Sequence, residues 1–271
     1  MSTGAATLID PAAERRPAAS SATSHELMVA RLAAHPAPEA VLFDLDGTLI
    51  DSVEDIHAAV NLLLAELGVA RRSRAEVATW VGNGARMLVE RAMAGRFEGF
   101  AGLADERERH AAADAAMPRF RAIYEAICVD HTVALAGATE ALHAVQRAGI
   151  GVAIVTNKPL APTVRIVDAL GWRPYVSVVL GGDSLASRKP DPAPLLEAMR
   201  RLDASDPRCG WMVGDSANDV GAARAAGMPS IVVRGGYNHG RAVETLDPAP
   251  DVIVDSLAEF PALLAARMRG A

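Results

Sequence analysis

The spacing of apolar positions along the chain changes twice. Residues 40–46 begin with an unbroken apolar run, Ala40-Val41-Leu42-Phe43, and close on Asp44-Leu45-Asp46. This predicts a buried strand whose end carries two carboxylates, side by side because alternate strand residues share a face. From Val53 to Asp130 the apolar positions recur at helical spacing: Ile56, Val60, Leu63, Leu64 and Leu67, then Met87, Leu88 and Met93, then Phe120, Ile123, Tyr124 and Ile127. No strand is expected in that stretch. Beyond Gly137, short continuous apolar runs alternate with amphipathic ones. They predict strands at Val152–Thr156, Val176–Leu180, Gly210–Val213, Ser230–Val233 and Val252–Val254. Helices are expected at Thr139–Ala148, Pro162–Leu170, Pro192–Leu202, Ala217–Ala226 and Leu257–Met268. Strands that are apolar throughout and alternate with helices specify an α/β chain with a doubly wound parallel sheet, covered on both faces. The organisation expected is a core domain over 39–53 and 132–271, interrupted by a helical insert over 54–131.

Residues 1–38 are rich in Ala, Ser and Pro and show no sustained periodicity. A disordered tail is expected there, with at most a short helix at His25–Ala34. No apolar run approaches the about 20 residues that a membrane span needs. A net charge of −6 gives no footprint for nucleic acid. Two cysteines, Cys128 and Cys209, stand in apolar surroundings and are expected to be reduced and buried. A cytoplasmic protein, monomer or homodimer, is the expectation. One compositional bias is sharper: of 27 basic residues only Lys158 and Lys189 are lysine. A compact ammonium is not interchangeable with a guanidinium, so lysines that survive such a bias draw notice.

In parallel sheets ligands bind at the carboxyl ends of the strands, and here those ends carry chemistry. The first strand ends in Asp44 and Asp46, then Gly47-Thr48 at a sharp turn. Ser52-x-x-Asp55 has the form of a helix capping box. The next strand ends in Thr156-Asn157-Lys158. Lys189 precedes a helix in Ser187-Arg188-Lys189-Pro190-Asp191-Pro192, and another strand ends in Gly214-Asp215-Ser216-Ala217-Asn218-Asp219. Carboxylates massed in one cleft call for a hard cation with oxygen ligands, Mg²⁺ being the natural choice. A hydroxyl and a lysine beside them suit an anion with several oxygens, a phosphoryl group above all. Lys158 by itself reads as a solvated loop residue.

With these four motifs in this order, the chain resembles the haloacid dehalogenase superfamily of hydrolases, and the helical insert resembles that superfamily's C1-type cap. The resemblance covers residues 40–268. Within the superfamily it is strongest to the bacterial phosphoglycolate phosphatases. That narrower likeness rests on Trp80-Val81-Gly82-Asn83-Gly84 followed by Glu90-Arg91-Ala92, Thr156-Asn157-Lys158-Pro159, Gly181-Gly182-Asp183 and Gly236-Tyr237-Asn238. The resemblance implies a Mg²⁺-dependent phosphatase acting on a small phosphorylated metabolite, 2-phosphoglycolate, through an aspartyl phosphate. It implies Asp44 as nucleophile and Asp46 as general acid and base. Mg²⁺ would be held by Asp44, the Asp46 carbonyl and Asp215, with Asp219 in support. Thr156 and Asn157 would hold phosphate oxygens and Lys189 would neutralise charge. The loop Gly82, Asn83 and Gly84 is expected to close over the core and meet the substrate's carboxylate, helped by Arg91.

Rival readings within the fold are a sugar-phosphate phosphatase or mutase, a dehalogenase and a phosphonate-cleaving enzyme. Asp46 counts against the dehalogenase, and the insert holds no lysine for the Schiff base of the last. A phospho-accepting receiver module would share the acidic pocket but not a helical insert after the first strand.

Overall fold

The computed structural model describes residues 24–270, so the expectation of disorder over residues 1–23 lies outside the described residues. The chain runs α1 (Ser24–Leu32), β1 (Ala40–Phe43), β2 (Ile50–Asp51), α2 (Val53–Glu66), α3 (Arg74–Trp80), α4 (Ala85–Ala94), α5 (Glu106–Ile127), β3 (Val133–Ala134), α6 (Ala138–Arg147), β4 (Gly151–Val155), α7 (Leu160–Ala169), β5 (Val178–Leu180), α8 (Ala193–Arg201), β6 (Gly210–Gly214), α9 (Ala217–Ala226), β7 (Ser230–Val233), β8 (Val252–Val254) and α10 (Phe260–Arg269).

Six strands form one parallel sheet in the order β5-β4-β1-β6-β7-β8. Its strands carry no polar side chain except Ser230, which opens β7, because both faces are covered. Val41, Phe43, Ile154, Trp211 and Val213 enter one buried cluster. Ala40, Leu42, Ala153, Val155 and Met212 enter another on the opposite face. That is the two-residue alternation of a strand with no wet side. Phe43 meets Phe260 of α10 edge-on at 5.6 Å between ring centres, and Trp211 meets the same ring at 6.3 Å. The two cysteines are free and buried, and among the described residues no helix is long and apolar enough to cross a membrane.

Helices α2–α5 make the insert. The helically spaced Ile56, Val60, Leu63 and Leu64 of α2 pack with Phe120, Ile123 and Tyr124 of α5 in the larger cluster. The chain enters and leaves this cap through a feature the pattern did not predict, a two-residue antiparallel ladder of β2 and β3 pairing Ile50 with Ala134 and Asp51 with Val133. Pairs this short carry too little periodicity to register in a sequence. The ladder also explains why the expected capping box does not form. Asp55 instead receives the amides of His131 and Thr132 and the Thr132 hydroxyl, at 2.8–3.1 Å. Ser52 turns its hydroxyl to Asp46.

Two further expectations are corrected. The first strand stops at Phe43, not Asp46. The Asp44 amide still donates to Val213 O at 2.8 Å, but Leu45 O then accepts from Leu49 and Ile50 and the chain folds back. Asp46 therefore sits in a turn, and the simple strand alternation of the two carboxylates does not apply. The second correction concerns the tail, of which residues 24–38 are ordered. α1 packs on α10 and β8. Leu32 is fully buried, and Arg267 donates to Leu32 O and His35 O at 3.3 and 2.6 Å. One leucine and a borrowed arginine suffice to dock a segment whose composition reads as loose.

Leu32→Ala is accordingly expected to lower the unfolding free energy by about 2–5 kcal/mol, as for other buried leucines. Urea unfolding checks this; a wild-type stability would mean that α1 does not contribute to the core.

Candidate active site

Lys189, on the loop before α8, binds two carboxylates at once. Its Nζ donates to Asp44 Oδ1, just past β1, and to Asp219 Oδ1 on the first turn of α9, each at 2.7 Å. Burial works against this ammonium, but Asp219 and Asp44 together hold its pKa above the ordinary lysine value. The second oxygen of Asp219 accepts the amides of Asp215 and Ser216 and the Ser216 hydroxyl, at 3.2, 3.1 and 2.8 Å. Asp219 thus fixes the loop that carries Asp215 while it fixes Lys189.

Asp215 lies in a slot made by glycines. An added Cβ on Gly47, where φ is +85°, would stand 2.3 Å from Asp215 Oδ2, and one on Gly236 would stand 2.2 Å from it. The Tyr237 amide donates to that same oxygen. Any side chain at either glycine would displace the carboxylate.

Asp46 faces a different partner. Its Oδ1 accepts from Lys158 Nζ at 2.7 Å and from the Ser52 hydroxyl. The Lys158 side chain is only 3% exposed, and its Nζ lies over the Tyr124 ring, 4.8 Å from the centre. The reading of Lys158 as a solvated loop residue is therefore overturned. Motif context alone placed it in a loop; its near-uniqueness among the cations was the usable signal. The Lys158 amide donates to the Thr156 hydroxyl at 3.2 Å, and Thr156 and Asn157 line the same cavity as Asp44.

The cap closes this cavity. Gly82 O accepts from two core amides, Asn157 Nδ2 at 2.9 Å and Asn218 Nδ2 at 3.2 Å. Asn157 Nδ2 also donates to Lys189 O at 2.9 Å, so one side chain ties the cap loop to the lysine loop. Gly82 and Gly84 line the cavity with Val81, Ala85 and Leu88, whereas Asn83 does not. Arg91 does not face the cavity. It is buried behind the loop, donating to Trp80 O, Asn83 Oδ1 and Phe97 O at 3.1, 3.0 and 2.7 Å. An arginine with three internal acceptors holds the loop in shape and brings Asn83 with it.

Residues 236–241 connect these parts. The Tyr237 amide reaches Asp215, and its hydroxyl bonds Asp51 and accepts the amides of Ser52 and Val53. His239 donates from Nδ1 to Thr79 O in the cap at 2.9 Å and meets the Phe97 ring edge-on. The roles of Ser52, Asn218 and His239 were not foreseen, since each acts through a neighbour brought in from elsewhere in the chain.

The donor set fits a divalent cation. Ligand atoms of Asp44, Asp215 and Asp219 lie within 4.8 Å of one another. Burial pushes Asp44 up to about 6, against the pull of Lys189. It pushes Asp215 well above the carboxylate range, with Asp219 and Asp44 adding to the effect. With all four acids, Asp44, Asp46, Asp215 and Asp219, ionised against two ammoniums, two negative charges would be left uncompensated. A dication of the hard, oxygen-binding kind supplies that balance and favours ionised Asp44 and Asp215.

Comparison with known proteins agrees with this geometry. The family described as haloacid dehalogenase-like hydrolase matches residues 38–227. A protein of Psychrobacter arcticus named phosphoglycolate phosphatase is 40% identical over 225 residues, covering 83% of this chain and 93% of its own. Phosphoglycolate phosphatase 1 of Pseudomonas aeruginosa is 39% identical over 225 residues, covering 82% and 78%. Among solved structures, that of a predicted phosphoglycolate phosphatase from Haemophilus somnus aligns with a TM-score of 0.71 at 30% identity, over 83% of this chain and 97% of that one.

Removing Asp219 leaves Lys189 with Asp44 alone and strands three donors in a buried site. Asp219→Ala is expected to lose about 3–5 kcal/mol of stability, as when one partner of a buried pair is deleted. Asp219→Asn, which keeps an acceptor, should lose less. Urea unfolding of both checks this; equal stability in all three proteins would contradict the pairing.

Proposed function

The chain belongs to the haloacid dehalogenase-like hydrolases, and from that premise we propose that it hydrolyses a small phosphate monoester, 2-phosphoglycolate, to glycolate and phosphate. The observation that carries the chemistry is the meeting of Asp44, Asp46, Asp215, Thr156 and Lys189 in one cavity under the cap. The substrate rests on the relatives bearing that name at 40% and 39% identity, and on a small cavity beneath the cap loop.

Lys189 takes Asp44 Oδ1, which leaves Oδ2 as the attacking oxygen. Attack forms an Oδ2–P bond and breaks the P–O bond of the ester, giving an aspartyl phosphate. Asp46 delivers its proton to the departing alkoxide. It then accepts a proton from water, whose oxygen attacks phosphorus and releases Asp44. The Thr156 hydroxyl and the Asn157 amide hold phosphoryl oxygens, and Lys189 stabilises the charge that develops between nucleophile and phosphate. The carboxylates of Asp44 and Asp215 and the carbonyl of Asp46 would hold Mg²⁺, which would supply further positive charge to the site. The cap loop of Gly82, Asn83 and Gly84, braced by Arg91, excludes water from the leaving-group side.

Asp44→Asn is expected to abolish turnover of 2-phosphoglycolate with the melting temperature little changed. Asp46→Asn should lose roughly 10²–10⁴-fold in kcat, the usual contribution of a general acid–base. Chelation should remove activity and added Mg²⁺ restore it. Steady-state kinetics across a panel of small phosphate esters tests the whole. Turnover by Asp44→Asn near the wild-type rate rejects the mechanism, and a kcat/KM no higher for 2-phosphoglycolate than for neutral esters rejects the substrate.

A further inference from the structure

If the substrate is 2-phosphoglycolate, one anionic group remains without a partner: the carboxylate two bonds beyond the ester oxygen. We infer that Lys158 binds it and thereby sets the substrate preference, an inference that rests on the function proposed above.

The argument starts from donors. A lysine ammonium has three N–H groups. In Lys158 one goes to Asp46 Oδ1, and among the described residues no other hydrogen bond of that ammonium is found. The side chain is buried on the cavity wall, with the Tyr124 ring beneath it and Phe120, Leu88 and Ile56 lining the same space. Unspent donors in such surroundings are costly, and a carboxylate offers two oxygens for the two that remain.

Position agrees with chemistry. To protonate the ester oxygen, Asp46 must come within hydrogen-bond reach of it, and Lys158 stands one hydrogen bond, 2.7 Å, from Asp46. Its ammonium therefore lies within two hydrogen-bond lengths of the ester oxygen, the span over which the glycolate carboxylate extends. Among the described residues no other cation competes for the role. Lys158 and Lys189 are the two cations lining the cavity, and Lys189 already holds Asp44 and Asp219. Arg91 is consumed by Trp80, Asn83 and Phe97. Arg188, beside Gly84, is exposed and outside the lining.

The test compares 2-phosphoglycolate with 2-hydroxyethyl phosphate, which has the same chain length and no carboxylate. In K158M, and in parallel in K158Q, which keeps a donor toward Asp46, kcat/KM is read on both esters with Mg²⁺ present. The wild-type preference for 2-phosphoglycolate should shrink by about 10- to 100-fold, the worth of a charge-assisted hydrogen bond. K158R, retaining the charge, should recover part of it. Equal losses on both esters in the folded variants would overturn the inference, because Lys158 would then serve Asp46 alone; the substrate assignment would stand. A wild-type enzyme with no preference for 2-phosphoglycolate would overturn both together.

Discussion

Five buried or nearly buried charges meet at the carboxyl edge of the sheet, and their pairing is the constraint on which the structure depends. Each would cost several kcal/mol if left alone in such a place. The pairing is divided. Lys189 serves Asp44 and Asp219, while Lys158 serves Asp46. The division separates the proposed nucleophile from the proposed acid although only one residue lies between them in sequence. It also explains why segments far apart in the chain must converge. β1, the loop before α8 and the turn into α9 each supply a charge that the others cannot leave unpaired. The sheet order, with β1 between β4 and β6, brings their carboxyl ends together.

The cap is held to this charged edge by a small number of polar contacts. The Gly82 carbonyl is the meeting point, accepting amides from Asn157 and Asn218, and His239 adds a second tie at Thr79. Apolar side chains of α2, α4 and α5 form the roof, so a phosphate ester would be gripped by charge from below and enclosed by hydrocarbon from above. Low polarity around the charges strengthens each of them. The Tyr237 loop spans from Asp215 to the base of the cap, so the geometry of a proposed cation ligand and that of the cap hinge share one residue.

Much of this was legible in the sequence, and the parts that were not have physical reasons. Six sheet strands could be located because continuous apolar runs have few alternatives in an α/β chain, and the helix over Ala217–Ala226 falls where expected. Asp44, Thr156, Lys189, Asp215 and Asp219 were legible because each stands where a strand ends or a helix begins. Asp46 reaches the same cavity as Asp44 but from a turn rather than a strand end, since the turn at Leu45 cannot be inferred from alternation. Lys158 escapes a local reading because its partner, Asp46, lies 112 positions away, and local context cannot report a distant ion pair. Ser52 and Asp55 have the spacing of a cap, but the β2–β3 ladder offered Asp55 better donors. α1 was read as marginal because its attachment comes from Arg267 at the other end of the chain.

The scarcity of lysine has a practical side. Both side-chain ammoniums of this protein lie within the cavity, and its outer surface draws its positive charge from guanidinium and imidazole groups instead. Reagents that acylate lysine amines, which on most proteins decorate the exterior at many places, find here only two such targets, both buried in the cavity. The extent of lysine labelling is therefore a measure of how accessible that cavity is. The molecule carries a built-in reporter of access to its site that needs no engineered probe.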